Sequence, residues 1–306
     1  AHLAFDLGQG RDGSGEPSSN SERNCSVGDF IMIKDIVVNL GLGATDPACD
    51  YAVSVAETFG SHLLGIAFCY EPVIPGTIMG GVPPEIIESQ RAESTKKART
   101  AIARFEQAAK RAGISAETRT ITASISGAAD EIGRIARRFD LVVVGQPHRD
   151  DSLPDEVIDE GVLFESGRPV IFIPFIQKGG MKVDRIMVCW DGSRAAARAI
   201  ADSMPFLKKA KQVEVIIISD KPGRRDEVPG ADLGQHLARH GLKVDVKRIT
   251  SPDIDVPSTM LSYAADSSAD MIVMGGYGHS RLREFVLGGA TRGLLEAMTV
   301  PVLMSH

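Results

Sequence analysis

Short runs of apolar and β-branched residues recur along this chain, and longer stretches with helical spacing separate them. "KDIVVNLG" from Lys34 and "DRIMVCWDG" from Asp184 each end in glycine and each open the same series. A helical stretch follows, "DPACDYAVSVAETFG" in the first series and "SRAAARAIADSMPFLKKA" in the second. Then come a strand ("SHLLGIAFCY"; "QVEVIIIS"), a helix ("AESTKKARTAIARFEQAAKRAG"; "ADLGQHLARHG") and another strand ("SAETRTITAS"; "LKVDVKRITS"). One more helix leads to the fully apolar "DLVVVGQ" or "DMIVMGG", and the series close on "RPVIFIP" and "VPVLMSH". Strands that are continuously apolar, rather than alternating, are buried on both faces. Strands alternating with helices imply βαβ crossovers. The pattern predicts an α/β fold of two tandem, doubly wound, Rossmann-like domains, each with a five-stranded mostly parallel sheet.

The expected boundaries are residues 33–176 and 183–306, with 177–182 of "FIQKGGMK" as a glycine-rich linker. Residues 1–31 are read as a disordered tail. Their glycine, serine and charge cannot bury enough surface to offset the entropy of ordering. Met32, just before the first strand, is a candidate start of the natural chain. "AHLAFDL" is too short for the apolar core of a secretory signal. A 306-residue chain that is 43% hydrophobic and 24% charged has the balance of a soluble globular protein. A net charge of −6 argues against broad nucleic-acid or membrane binding. Four scattered cysteines form no C-x-x-C pair, which points away from zinc or a disulfide framework and toward the cytoplasm.

Candidate chemistry concentrates in "MGGYGHSRLREFVLGGATRG", Met274 to Gly293. Gly275 follows the apolar run "MIVM", at the carboxyl end of a strand, where such sheets bind ligands. Without a side chain the backbone there turns sharply and approaches a ligand closely. Gly288 and Gly289 precede "ATRGLLEAM", a helix whose free N–H groups favour an anion. His279, Arg281 and Arg283 add local positive charge.

The spacing Gly275-x2-Gly278-x9-Gly288-Gly289 resembles the glycine signature of the universal stress protein family, whose nucleotide-binding members carry G-x2-G-x9-G-[S/T]. "VCWDGS", with Asp191 after the strand, and the closing "VPVLM" extend the similarity, and both repeats fit the family fold. The resemblance implies a tandem member acting in stress response and binding an adenine nucleotide, ATP or AMP, with or without Mg²⁺; the alternatives are a slow ATPase or nucleotidyl-transfer enzyme, or an interaction scaffold with a relic pocket. It implies that Gly275, Gly278, Gly288 and Gly289 wrap the phosphates. Asp191 then contacts the nucleoside, Ile218 packs on the base, and Met274 lines the pocket. Gly289 stands where the signature has Ser or Thr, removing a donor worth about 1.5–3 kcal/mol; Thr291 is the candidate replacement. No metal site and no catalytic residue is assigned, since the chain lacks a P-loop or a nucleophile–base set.

In the first series the equivalent segment, "GQPHRDDSLPDEVIDEGVLFESGRP", reads as an acidic solvated loop. Six carboxylates (Asp150, Asp151, Asp155, Glu156, Asp159, Glu160) would repel a phosphate. Gly41 also stands where Asp191 stands in the second, so the first domain is expected to be ligand-free and structural. His236 and His240 read as a solvated helical face, Cys189 as an inert core residue, and "MGGVPPE" from Met79 as a surface loop able to act as a lid. The resemblance implies domains paired through their last strands, here "RPVIFIP" and "VPVLMSH": within one chain, giving a pseudo-twofold monomer, or between chains, giving a homodimer. A protein partner is expected but not specified by the sequence.

Overall fold

A computed structural model describes residues 32–72, 83–147, 153–219, 230–250, 255–276 and 289–306. The expected tail, the "MGGVPPE" loop up to Val82, and Gly278, His279, Arg281, Arg283 and Gly288 lie outside the described residues. The first half runs β1 (Asp35–Asn39), α1 (Pro47–Phe59), β2 (His62–Tyr70), α2 (Pro84–Ala112), β3 (Ala116–Ala123), α3 (Ile125–Ala136), β4 (Leu141–Gly145), α4 (Leu153–Glu165) and β5 (Val170–Ile173). The second repeats it as β6 (Arg185–Cys189), α5 (Arg194–Leu207), β7 (Gln212–Ser219), α6 (Ala231–Arg239), β8 (Val244–Thr250), α7 (Val256–Asp266), β9 (Met271–Gly275), α8 (Gly289–Ala297) and β10 (Val302–Ser305).

The two halves share one ten-stranded sheet in the order β3-β2-β1-β4-β5-β10-β9-β6-β7-β8. Every pairing is parallel except β5 with β10, which is antiparallel, with Phe172 opposite Val302 and Val170 opposite Met304. That reversal is the pseudo-twofold relation. The strands of the two halves run in opposite directions. The apolar closing strands, which alone would be an edge open to other chains, cover one another. The edges left exposed are β3 and β8, whose burial alternates and whose sequences are polar.

Both faces of the sheet are buried. One face packs against α1, α2, α5 and α6, and the other against α3, α4, α7 and α8. The first carries an aromatic contact between the halves, Phe59 edge-on to Phe206 at 5.2 Å. Helix starts are capped by side chains: Asp46 accepts from Cys49 N–H, Ser124 from Gly127 N–H and Ser193 from Ala196 N–H.

One expectation is corrected. The segment read as an acidic solvated loop is largely the helix α4, placing Asp155, Glu156, Asp159 and Glu160 on a helix, with Asp159 buried. Ile158 and Val162, four apart, supply the apolar stripe that holds it to the sheet. The glycine-rich segment between the halves is held to α1. Ser54 Oγ accepts from Met181 N–H at 2.9 Å, and a side chain at Gly180 would strike Ser54.

Because β5 and β10 sit at the centre of one sheet, Phe172→Ala is expected to lower the unfolding free energy by about 3–5 kcal/mol, both halves still unfolding together. Urea denaturation followed by circular dichroism measures both outcomes.

Candidate functional site

The register brings three strand ends side by side in the second half. Cys189 lies next to Ile216 in β7 and, one step beyond the Val188–Val273 pair, next to Met274 in β9. Alternation puts Cys189, Met274, Ile216 and Ile218 on the sheet face covered by α7 and α8. They form an apolar floor at the carboxyl ends of β9, β6 and β7, with Ile218 half-buried at its rim. Burial, and secondarily Asp191, pushes the Cys189 thiol up to about 12, so it contributes bulk and no reactivity.

Asp191 stands past the end of β6, exposed, and its Oδ1 accepts from Ser193 N–H at 2.9 Å. Gly192 between them is left-handed at φ 78°. Ser193 Oγ caps α5, accepting from Ala196 N–H at 3.1 Å, so the cap does not consume Asp191. The Trp190 side chain points to the other face and packs on the core there, while its main-chain N–H donates to Ile216 O at 2.9 Å.

Gly275 has a steric reason to be glycine. A Cβ there would lie 2.6 Å from the Ala195 carbonyl carbon, 2.9 Å from Ala195 Cβ and closer still to Ala196 N. The first turn of α5 therefore rests directly on the end of β9. Gly289 is the first residue of α8, and Thr291, in its first turn, is buried. Of the eight predicted site residues, Asp191, Ile218, Met274 and Gly275 gather at the strand ends. Gly289 and Thr291 stand at the start of the helix that follows β9, and Gly278 and Gly288 lie outside the described residues.

The first half builds the same place differently. Phe68 and Val144 occupy the positions of Ile218 and Met274 and are 1% and 0% exposed. Gly41 replaces Asp191. Five residues, 41–45, separate Leu40 from the cap Asp46, where only 191–192 separate Trp190 from Ser193. Arg104 of α2 ties this longer loop down. Its Nη2 donates to Gly41 O at 2.6 Å and meets Asp46 Oδ2 at 3.2 Å, and its Nη1 donates to Gly43 O at 2.9 Å. Asp46 also accepts from Gly41 N–H at 2.8 Å. Burial is the larger influence on its carboxyl and holds it above the usual range, against the Cys49 N–H and Arg104. Neither Arg104 nor Asp46 was singled out in the sequence. They are 58 residues apart, and only the packing of α2 on α1 brings them together.

The first half also touches the second half's strand ends. Gly276 donates its N–H to Ser305 O at 2.9 Å, and a side chain on Gly276 would press on Leu163 of α4. Phe164 of α4 lies edge-on to His306 at 5.0 Å. Gln146, just past β4, donates from Nε2 to Leu295 O at 2.7 Å and Glu296 O at 3.2 Å, tying the last turn of α8 to the first half.

Comparison with known proteins agrees with this layout. A model of the universal stress protein family matches residues 182–306. Those residues, the whole of the second half, are what is similar to the universal stress protein family. The universal stress protein Slr1230 of Synechocystis is 22% identical over 171 residues, and the match spans 54% of this chain and 57% of that protein. The crystal structure of a universal stress protein from Archaeoglobus fulgidus superposes with a TM-score of 0.63 at 18% identity, covering 88% of this chain and 94% of that one. A putative universal stress protein from Pseudomonas aeruginosa gives 0.57 at 16% identity, covering 89% and 92%. The shared fold thus runs across both halves of this chain.

Two outcomes follow from the site's packing. Gly275→Ala is expected to cost about 1–3 kcal/mol, whereas Gly145→Ala, with open space at the equivalent strand end, is expected to leave stability nearly unchanged; thermal denaturation of the pair measures this. Cys49 and Cys189, both pushed up to about 12, should resist iodoacetamide at pH 8 in the folded protein and react once it is unfolded in guanidinium; peptide mass spectrometry reads the labelling.

Proposed function

We propose that the second half binds an adenine nucleotide, ATP or AMP, and that the chain acts in stress response through occupancy of that site, without chemical turnover. The observation that carries the reading is the difference between the two strand-end sites. In the second half an apolar floor of Cys189, Met274 and Ile218 ends at a half-exposed rim beside an exposed carboxylate. In the first, Phe68 and Val144 are fully covered, a half-buried polar Asn39 stands in the place of Cys189, and the adjoining loop is tied to Arg104.

A purine fits an apolar floor and a ribose hydroxyl fits Asp191, which has carboxylate lone pairs beyond the one bonded to Ser193 N–H. The first turn of α8, opened by Gly289, supplies free N–H groups and the positive end of the helix dipole for phosphate oxygens. Gly278 and Gly288 complete that cradle in this reading, and Mg²⁺ would accompany a triphosphate as charge neutraliser. The first half is a ligand-free structural partner, residues 33–176, that backs the site through α4 and Gln146.

Titrating ATP and AMP while following Trp190 fluorescence tests this. Asp191→Ala is expected to weaken binding about tenfold or more, the loss of a hydrogen bond to a charged group, and Gly278→Leu to abolish it with the fold intact. Arg104→Ala, in the other half, is expected to leave the affinity unchanged.

A further inference from the structure

The first half carries a second charged feature that neither the sheet nor the nucleotide reading uses. Beside the outermost strand β3, a surface depression of about 370 Å³ is lined by Arg119, Glu131, Arg134, Ile135, Arg137 and Arg138. Glu131, Arg134 and Arg138 follow one another at steps of three and four residues, a single stripe along α3 and onto its end. Arg119 faces them from β3, on the same sheet face as Ile121 and Ala123. Four guanidinium groups and one carboxylate thus line a groove on a chain whose net charge is −6.

Arginines at a helix end often serve only to cap its carbonyls, and Arg168 does so here, with Nε and Nη2 donating to Arg137 O at 3.2 and 2.9 Å. Arg137 is likewise engaged, its Nη2 3.3 Å from Glu165 and its Nε on Glu165 O. Arg134 pairs with Glu131. Arg119 and Arg138 have no such partner among the described residues; both are exposed. The fold does not require the cluster. In the second half the equivalent helix α7 carries no basic residue, and the cations of β8 are engaged, Lys247 with Tyr263 at 2.6 Å and Arg248 with Ser219 at 2.8 Å.

The groove borders the edge strand of the sheet through Arg119 of β3. β3 pairs with β2 on one side only, so one row of its backbone N–H and C=O groups is unpaired by the sheet. A free edge takes an extended peptide through main-chain hydrogen bonds, and arginine forks beside it select carboxylate or phosphate groups. We propose that the groove between α3 and β3 docks an extended acidic segment of a partner protein, which adds to β3 as a further strand and places its acidic side chains on Arg119, Arg134 and Arg138. The site is separate from the nucleotide site, at the far end of the sheet's first half.

The test uses the full chain and a fluorescently labelled short peptide of alternating glutamate and threonine, read by anisotropy, with the glutamine version as control. The acidic peptide is expected to bind, with affinity falling as salt is raised. Binding should drop about tenfold or more in the double variant Arg119→Glu, Arg138→Glu, and amide exchange should slow in residues 116–123. Should that charge reversal unfold the protein, Arg119→Gln with Arg138→Gln gives the same reading. The proposal is overturned if the peptide does not bind, if the glutamine peptide binds equally, or if the variants bind as the parent does. Equal competition by inorganic pyrophosphate or by a single-stranded oligonucleotide, without protection of β3, also overturns it.

Discussion

Everything in this molecule depends on three residues of β5 lying antiparallel to three residues of β10. Val170, Ile171 and Phe172 pair with Met304, Leu303 and Val302, and no other pairing in the sheet is antiparallel. The consequence is geometric. With the strands of one half reversed against the other, the carboxyl ends of β9 and β10 meet the last turn of α4 rather than open water. Leu163 comes to lie against Gly276, and Phe164 against His306. The same pairing removes the two most apolar edges, so the exposed edges are the polar β3 and β8.

Within that frame the two halves spend the same architecture differently. Both have a glycine at the end of the fourth strand. In the second half, however, that glycine lets α5 settle on the strand, and in the first there is open space around it. Both have an acid near the first strand's end, yet Asp46 is buried in a clip with Arg104 while Asp191 stands exposed. A carboxylate buried against one arginine and two N–H groups is committed to holding its own loop. An exposed carboxylate beside a half-covered apolar floor retains lone pairs for something else. That contrast supports assigning the ligand to one half and the scaffold role to the other.

The strands were legible in the sequence because doubly buried strands are continuously apolar. "IVV" in β1, "LVVV" in β4 and "MIVM" in β9 carry that signal unambiguously. The candidate Gly275 was legible as the end of an apolar strand, whereas Asp191, Ile218 and Met274 were proposed only through the family resemblance. The helix α4 was not legible, because its carboxylates outweighed the Ile158–Val162 period that holds it to the sheet. The pinned linker and the Asp46–Arg104 clip were hidden for another reason. Each depends on residues far apart in sequence, Ser54 with Met181 and Asp46 with Arg104, which only tertiary packing brings together. Cys189 was read as inert core, and its place in the floor needed the register of three strands.

The central claim is that one half of this chain holds a nucleotide and the other does not. Isothermal titration calorimetry of the full chain with ATP, and separately with AMP, measures the stoichiometry directly. The account predicts one adenine nucleotide bound per chain. Two bound per chain, or none at millimolar nucleotide, would contradict it.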